Sequence, residues 1–473
     1  MNICAVILAA GLGTRMKSKY SKVLFDVAGE PMISHVIRAV RKMEPSKIIP
    51  VVGHSKELVI ESIKKNHSDY AGFEFAVQSE QKGTGHAVMQ ARAALETCGD
   101  GVTFVLCGDT PLLTPELFKN LFASHVKGDY AATVLTAKVS DPKGYGRIVR
   151  NENGYVASII EERDASPEIK KITEINTGVY VFSTKKLLQA LSKLTDNNDQ
   201  HEYYLTDTIA IFNSESMNVS ACLEEDARLV MGINNRYELS VAGAIMRSFI
   251  NKRHMINGVT IVDPAATYID AGVEIANDVT IYPGTYLHGR TKISTGAVIG
   301  PMSYVTDSVV GENSKIFNSV VESSEIGRDV VVGPYSHLRP NAKLCDRVNI
   351  GNYVEVKKSV IGEGSKANHL TYIGDAEIGA GCNIGAGTIT CNYDGVNKNK
   401  TVIADGVFIG SNTSLVAPVT IGEGALVAAG SVINKNVEPG SLAIARSPMV
   451  IKEGYMKKRS IKKAEKNKDM TGA

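Results

Sequence analysis

An α/β domain on a mostly parallel, Rossmann-like sheet, followed by a left-handed parallel β-helix of hexapeptide repeats, is the fold class this sequence predicts. Three observations predict it. Short apolar runs alternate with helix-period segments over residues 1–236, aliphatic residues recur at every sixth position through much of 258–473, and 237–257 between them reads as a linking helix. At 473 residues the chain exceeds what one hydrophobic core serves, so two large domains are expected.

In the first domain the candidate strands are 3–9, 48–52, 73–77, 102–107 and 131–136, all short β-rich apolar runs. Between the first two, Pro31 opens a segment with Met32, Ile33, Val36, Ile37 and Val40 on one face, which is helical spacing with proline at a tolerated first-turn position. Similar helices are expected at about 55–66, 84–96 and 115–126. Strands alternating with helices imply a parallel sheet covered on both faces, with ligands bound beyond the carboxyl ends of its strands.

In the second domain Ile275, Ile281, Leu287, Ile293, Ile299 and Val305 fall six apart, as do Ile326, Val332, Leu338, Leu344 and Ile350, and then Ile403, Ile409, Leu415, Ile421, Val427 and Ile433. Six suits neither a helix nor simple strand alternation. It suits a coil of three short strands per turn, with the aliphatic residue inside and small residues at the corners. The five-residue steps into Ile361 and Ile378, and the stretch 391–401, should be corners or an extruded loop.

The 52 basic side chains nearly cancel the 50 acidic ones, which gives no general case for nucleic-acid or membrane binding. Seven scattered cysteines with no CxxC pair suggest neither a disulfide framework nor zinc, so reduced thiols in the cytoplasm are expected. The apolar start has no basic segment before it, and no run reaches bilayer-spanning length. The end, 452–473, carries eight Lys or Arg against three acids; it is a solvated tail or a basic arm lying near a coenzyme phosphate.

The first strand runs into Leu8-Ala9-Ala10-Gly11-Leu12-Gly13-Thr14-Arg15-Met16, with Lys22 close behind. Glycines let backbone amides approach phosphate oxygens, and Arg15 and Lys22 can offset a triphosphate's charge. The third glycine of the dinucleotide fingerprint is missing and no Gly-Lys-Ser/Thr follows, so neither standard phosphate motif applies. The string nevertheless resembles the signature loop of sugar-1-phosphate nucleotidyltransferases. Gln78 to Ala87, Leu106-Cys107-Gly108-Asp109-Thr110-Pro111, Gly144 to Ile148, Ile160-Glu161, Glu174 to Gly178 and Gly232 to Arg236 continue the likeness in order.

That resemblance implies UTP and sugar contacts from Leu8, Ala9, Ala10, Gly11, Gly13, Lys22, Cys107, Gly108 and Asp109, with Gln78, Gly83 and Thr84 reading uracil and Gly146, Glu161 and Asn176 holding the sugar. It further implies Mg²⁺ on Asp109 and Asn234, whose hard oxygens suit that ion. Two departures stand out: Cys107 where an aromatic is usual, and Ser21 before Lys22 where proline is usual. Taken singly, Asp109 could merely cap the next helix, while Gln78 or Asn176 would more often be surface hydrogen-bonders and Gly83 or Gly146 turn residues.

A hexapeptide coil alone is as often a scaffold as a catalyst. Its charged interruptions, Ser336 to Pro340, Val354 to Lys358, Lys366 to Asp375, Cys382 to Gly387 and Cys391 to Gly395, resemble the acetyltransferase half of the bifunctional uridylyltransferase/acetyltransferases, a likeness spanning about residues 3–450. It implies a homotrimer built through the coil and making UDP-N-acetylglucosamine, a precursor of cell-envelope polymers. His369 would be the base for acetyl transfer, since a neutral imidazole can take the amine proton. Arg339, Lys357, Tyr372 and Asn383 would hold glucosamine-1-phosphate. Ala386, Asn392, Tyr393, Ser411, Ala429 and Arg446 would line the acetyl-coenzyme A site. Three readings compete with it: zinc on His288, His337 and His369, a nucleotidyltransferase whose coil only assembles subunits, and a non-catalytic scaffold.

Overall fold

A computed structural model describes residues 1–471. It divides into two units, one holding Met1–Ile256 and Tyr268–Val273 and the other holding the rest of the chain. In the first, β1 (Ile3–Ala9), β2 (Lys47–Val52), β3 (Ala76–Val77) and β4 (Val102–Cys107) are parallel, in the order β4-β1-β2-β3. The strands that follow are β5 (Ala132–Lys138), β6 (Arg147–Arg150), β7 (Val156–Ile160), β8 (Glu174–Ser183) and β9 (Val219–Glu224). β8 runs antiparallel between β4 and β5, β9 is parallel to β5 at the edge, and β6 and β7 form a hairpin against β8.

Successive side chains of a strand face opposite ways, so each core strand feeds two layers. Cys4 and Val6 of β1 join Val105 of β4 on one face, under Val88 and Leu95 of the helices α3 (Thr84–Gln90) and α4 (Arg92–Glu96). Ala5, Ile7, Phe104 and Leu106 pack on the other face against Ile33 and Val36 of α1 (Met32–Arg41), Ile63 of α2 (Lys56–Asn66) and Phe118 of α5 (Pro115–Val126). Thr114 caps α5, its hydroxyl accepting from the Leu117 amide at 3.4 Å, and Pro115 follows at the first turn. Helices α6 (Thr184–Leu191), α7 (Asp207–Ser214) and α8 (Arg236–Ile256) complete the unit.

Three expectations need correcting here. The single helix expected over 84–96 is two, separated at Ala91, whose backbone (φ −83°, ψ 1°) leaves the helical region. The strand expected over 73–77 pairs in full only at Ala76–Val77, with Phe73 bridging Ile48. The cysteines are not all free, because Cys4 and Cys98 form a disulfide with Cα atoms 6.6 Å apart. Both side chains belong to the same face of the sheet. Their separation of 94 residues hides that proximity from any spacing rule.

The second unit is a three-sided coil. Each short strand pairs in parallel with the strand one turn on, as Thr280-Ile281 with Val298-Ile299 and then Lys315-Ile316. Of the seventeen aliphatic positions on the six-residue beat, all but Ile275 are buried. Burying such a side chain favours folding by roughly 1.5–3 kcal/mol, so the inward column supplies the coil's cohesion. Between Ile389–Cys391 and Thr401–Ile403 the chain leaves the coil as a loop closed by a bridge from Tyr393 to Lys398. Residues 452–467 of the basic tail are exposed, and the tail includes helix α9 (Tyr455–Thr471); residues 472 and 473 lie outside the described part.

Candidate functional site

In the first unit the segments following β1, β3 and β4 meet at the carboxyl edge of the sheet. They line a cleft of about 290 Å³ with Leu8, Ala9, Ala10, Gly11, Lys22, Gln78, Gly83, Thr84, Cys107 and Asp109. Gln81 and Glu202 also line it, and the sequence reading missed both. Gly83 has φ +99°, and a Cβ there would lie 2.6 Å from the Tyr203 carbonyl, so glycine alone fits. Gly13 and Gly108 stand behind the lining. A Cβ on Gly13 would lie 2.8 Å from Lys22 Cβ, and the Gly108 amide donates to the Leu8 carbonyl at 2.9 Å.

The charged groups converge at one end. The Lys22 ammonium forms an ion pair with Asp109 and reaches Asn234 Oδ1 at 3.4 Å, while Arg15 Nη2 donates to the same oxygen at 2.8 Å. Asn234 is brought there because the Ile233 amide donates to the Asp109 carbonyl at 3.0 Å. Glu238, on the first turn of α8, accepts from the Asn234 amide at 2.6 Å; it too escaped the sequence reading. Burial, reinforced by the Asp109 carboxylate, pushes the Cys107 thiol up to about 12, so it lines the cleft as a neutral group.

The expected sugar residues form a second cluster. The Asn176 amide donates to the Gly146 carbonyl at 2.9 Å, and a Cβ on Gly146 would lie 3.4 Å from Glu161 Oε1 and 3.5 Å from Asn176 Cβ. Asn176 Nδ2 donates to the Tyr180 hydroxyl at 2.7 Å. Burial raises the Glu161 carboxyl, against a 3.4 Å hydrogen bond from Thr206.

On the coil, stacking brings together residues about one turn apart in sequence. His369 is exposed, and its Nδ1 lies 3.0 Å from Oδ1 of Asn352, its partner on the previous turn. Arg339 Nη1 donates to Glu355 at 2.9 Å, a bond that holds the guanidinium above its ordinary value, and Glu355 pairs with Tyr372 in the ladder. The neighbouring Lys357 ammonium lowers Lys398 below its ordinary value, so two cations share this surface. Asn383 lies in another ladder, beside Lys366. Asn352, Glu355 and Lys398 were not anticipated. Counting one coil back from His369 and Tyr372 would have found the first two.

Ala386, Ser411 and Ala429 occupy equivalent corners of successive turns, and Arg446 Nη1 donates to the Ala429 carbonyl at 2.7 Å. Asn392 is tied to Asp375 at 2.5 Å and exposed Tyr393 to the Gly395 carbonyl at 2.6 Å, both in the extruded loop. Among the described residues no three His, Cys, Asp or Glu side chains gather as a metal centre, which leaves the zinc reading without a ligand set. No helix there is long and apolar enough to cross a membrane.

A wound sheet with a phosphate-loop cleft, joined to a hexapeptide coil bearing an exposed histidine and clustered cations, defines a two-part group-transfer enzyme. The nucleotidyl transferase family pattern matches residues 4–237, and that of bacterial transferase hexapeptides (six repeats) matches 323–358 and 400–435. The chain is 52% identical over 455 residues to the bifunctional protein GlmU of Streptococcus mutans serotype c, covering 96% of this chain and 98% of that one. It is 46% identical over 462 residues to the protein of that name from Clostridioides difficile, covering 98% and 99%. The chain belongs to the GlmU family of bifunctional uridylyltransferase/acetyltransferases, enzymes of UDP-N-acetylglucosamine synthesis.

Proposed function

We propose that this chain acetylates glucosamine-1-phosphate from acetyl-coenzyme A on its coil and joins the product to UMP from UTP in its sheet domain, the two domains being 1–236 and 258–473 with a helical link at 237–257. The observation that carries the reading is the meeting of Lys22, Asp109 and Asn234, drawn from three distant segments, beside the cleft. A carboxylate and an amide oxygen in contact with a cationic group suit a hard divalent cation that keeps its other positions for phosphate and water, which fits Mg²⁺ on Asp109 and Asn234. When bound, the ion neutralises charge on the phosphates. Arg15 and Lys22 steady the triphosphate while a phosphate oxygen of N-acetylglucosamine-1-phosphate attacks the α-phosphorus and pyrophosphate leaves.

At the coil, the Asn352 side-chain oxygen Oδ1 accepts from His369 Nδ1, which leaves Nε2 with a lone pair for the substrate amine. Arg339 and Lys357 clamp the 1-phosphate, Tyr372 and Asn383 orient the sugar, and the Ala386–Ser411–Ala429 corner with Asn392, Tyr393 and Arg446 receives the coenzyme. A homotrimer is supported by one corner of the coil, where Met302, Tyr335, Tyr353 and Leu370 are 57–68% exposed. UTP and acetyl-coenzyme A, the proposed substrates, support a cytoplasmic enzyme, with the Cys4–Cys98 bridge departing from the reduced thiols expected there.

The test supplies full-length protein with both sugar phosphates, acetyl-coenzyme A, UTP and Mg²⁺, and follows free thiol and pyrophosphate separately. His369→Ala should cut thiol release by roughly 10²–10⁴ and spare pyrophosphate release, and Asp109→Asn should do the reverse. Loss of both reactions from either folded variant would end the reading of two independent sites.

A further inference from the structure

The base-reading glutamine is itself held by a histidine that no part of the mechanism uses. Gln78 is 4% exposed and lines the cleft. Its Nε2 lies 3.1 Å from the Gly83 carbonyl oxygen and 3.1 Å from His86 Nδ1. A carbonyl oxygen only accepts, so the amide's nitrogen must occupy that corner, and its second N–H points at the imidazole. His86 Nδ1 must therefore carry a lone pair and Nε2 the proton.

On the far side of the ring, Gln90 Nε2 lies 3.2 Å from His86 Nε2 and 3.1 Å from the His86 carbonyl. Both ring nitrogens thus face amide donors, and one amide must turn. Turning Gln78 would set its oxygen against the Gly83 carbonyl inside the fold. Turning Gln90 offers its oxygen to Nε2–H but sets it near the His86 carbonyl. That side chain is only half-buried, so it can shift and leave both the carbonyl and its own nitrogen to water, whereas Gln78 is 4% exposed and has no such relief, which makes Gln90 the cheaper one to turn.

We infer that His86 is a specificity-positioning residue: as an acceptor at Nδ1 it locks the Gln78 amide so that Oε1 faces the nucleobase. Among the described residues that oxygen accepts no hydrogen bond, the side chain bonding only through its nitrogen. It meets the N3–H of an imide base such as uracil and opposes the N3 lone pair of cytosine. The inference rests on the proposed reading of uracil by Gln78.

The experiment measures pyrophosphate release by the full-length enzyme with Mg²⁺ and N-acetylglucosamine-1-phosphate, varying UTP and CTP separately. His86→Leu, which removes the acceptor, should raise the KM for UTP about tenfold and lower the UTP-over-CTP preference in kcat/KM by a similar factor. Its kcat and its KM for the sugar phosphate should stay within about twofold, which also reports a folded domain. His86→Asn, whose side-chain oxygen falls near the place of Nδ1, should restore most of the preference. An unchanged UTP-over-CTP ratio in His86→Leu, or an equal loss in kcat and both KM values, would overturn the inference. In the same assay an unchanged ratio in Gln78→Ala would remove the base reading itself, a result distinct from failure at His86.

Discussion

Acidification from pH 7 to pH 5 should unfold the first unit more easily, through histidines buried in neutral form. His67, His125 and His254 are 3–5% exposed, and burial first, then neighbouring cations, lowers each to about 4 from an ordinary 6.5. The folded value lies below the unfolded one, so between about 6.5 and 4 the unfolded chain binds more protons. Stability from these groups is therefore complete above 6.5 and lost as pH falls through that window. Between pH 7 and pH 5 the linkage amounts to about 2 kcal/mol for each histidine and about 6 kcal/mol for the three, a large part of the ~5–15 kcal/mol that holds a domain folded. The chain has no tryptophan, but helices α1–α8 lie in the first unit and α9, in the exposed basic tail, is the one α-helix of the other among the described residues, so the cooperative loss of helical circular dichroism in a urea titration follows chiefly the first unit. Exchanging His125 for Gln, which cannot ionise, should remove about a third of the pH dependence. A wild-type urea midpoint equal at the two pH values would refute the reasoning.

Two further outcomes concern the frame. Leu338 is fully buried in the coil, and Leu338→Ala should cost about 2–5 kcal/mol, read as a lower unfolding midpoint of the coil. The Cys4–Cys98 bridge closes a long loop, so Cys98→Ser should lower stability by about 2–4 kcal/mol; a thiol reagent under denaturing, non-reducing conditions should label the five free cysteines of the unaltered chain and a sixth, Cys4, in the variant.

Central strands β1 and β4 and the coil were readable in the sequence because both bury continuous or strictly periodic aliphatic residues, a signal that survives without neighbours. β6, β7 and β8 were not, since they carry mixed patterns such as Arg-Ile-Val-Arg over 147–150, and β8 shifts register between Asn176 and Tyr180. The break at Ala91 has no glycine or proline to announce it. At the site, charged residues inside recognisable strings were legible, while their supports were not. Glu238, His86, Gln90 and Asn352 act by holding another side chain, and a support of that sort shows only when the chain is folded. Ser21 illustrates the limit: its φ of −58° is one proline would take, and its buried hydroxyl has no partner among the described residues, so the unusual residue leaves the loop's path unchanged.

Along one wall of the coil, partners on successive turns are 16 to 18 residues apart from Ile281 to Ile384, yet the next step, Ile384 to Ile409, takes 25. The wall continues in register on both sides of that excess. Vertices therefore absorb length freely while the flat sides fix spacing at a single strand's width, about 4.8 Å per storey. Such a column behaves like shelving: whole loops can be exchanged at a vertex, and chemistry altered there, without disturbing the floors above or below.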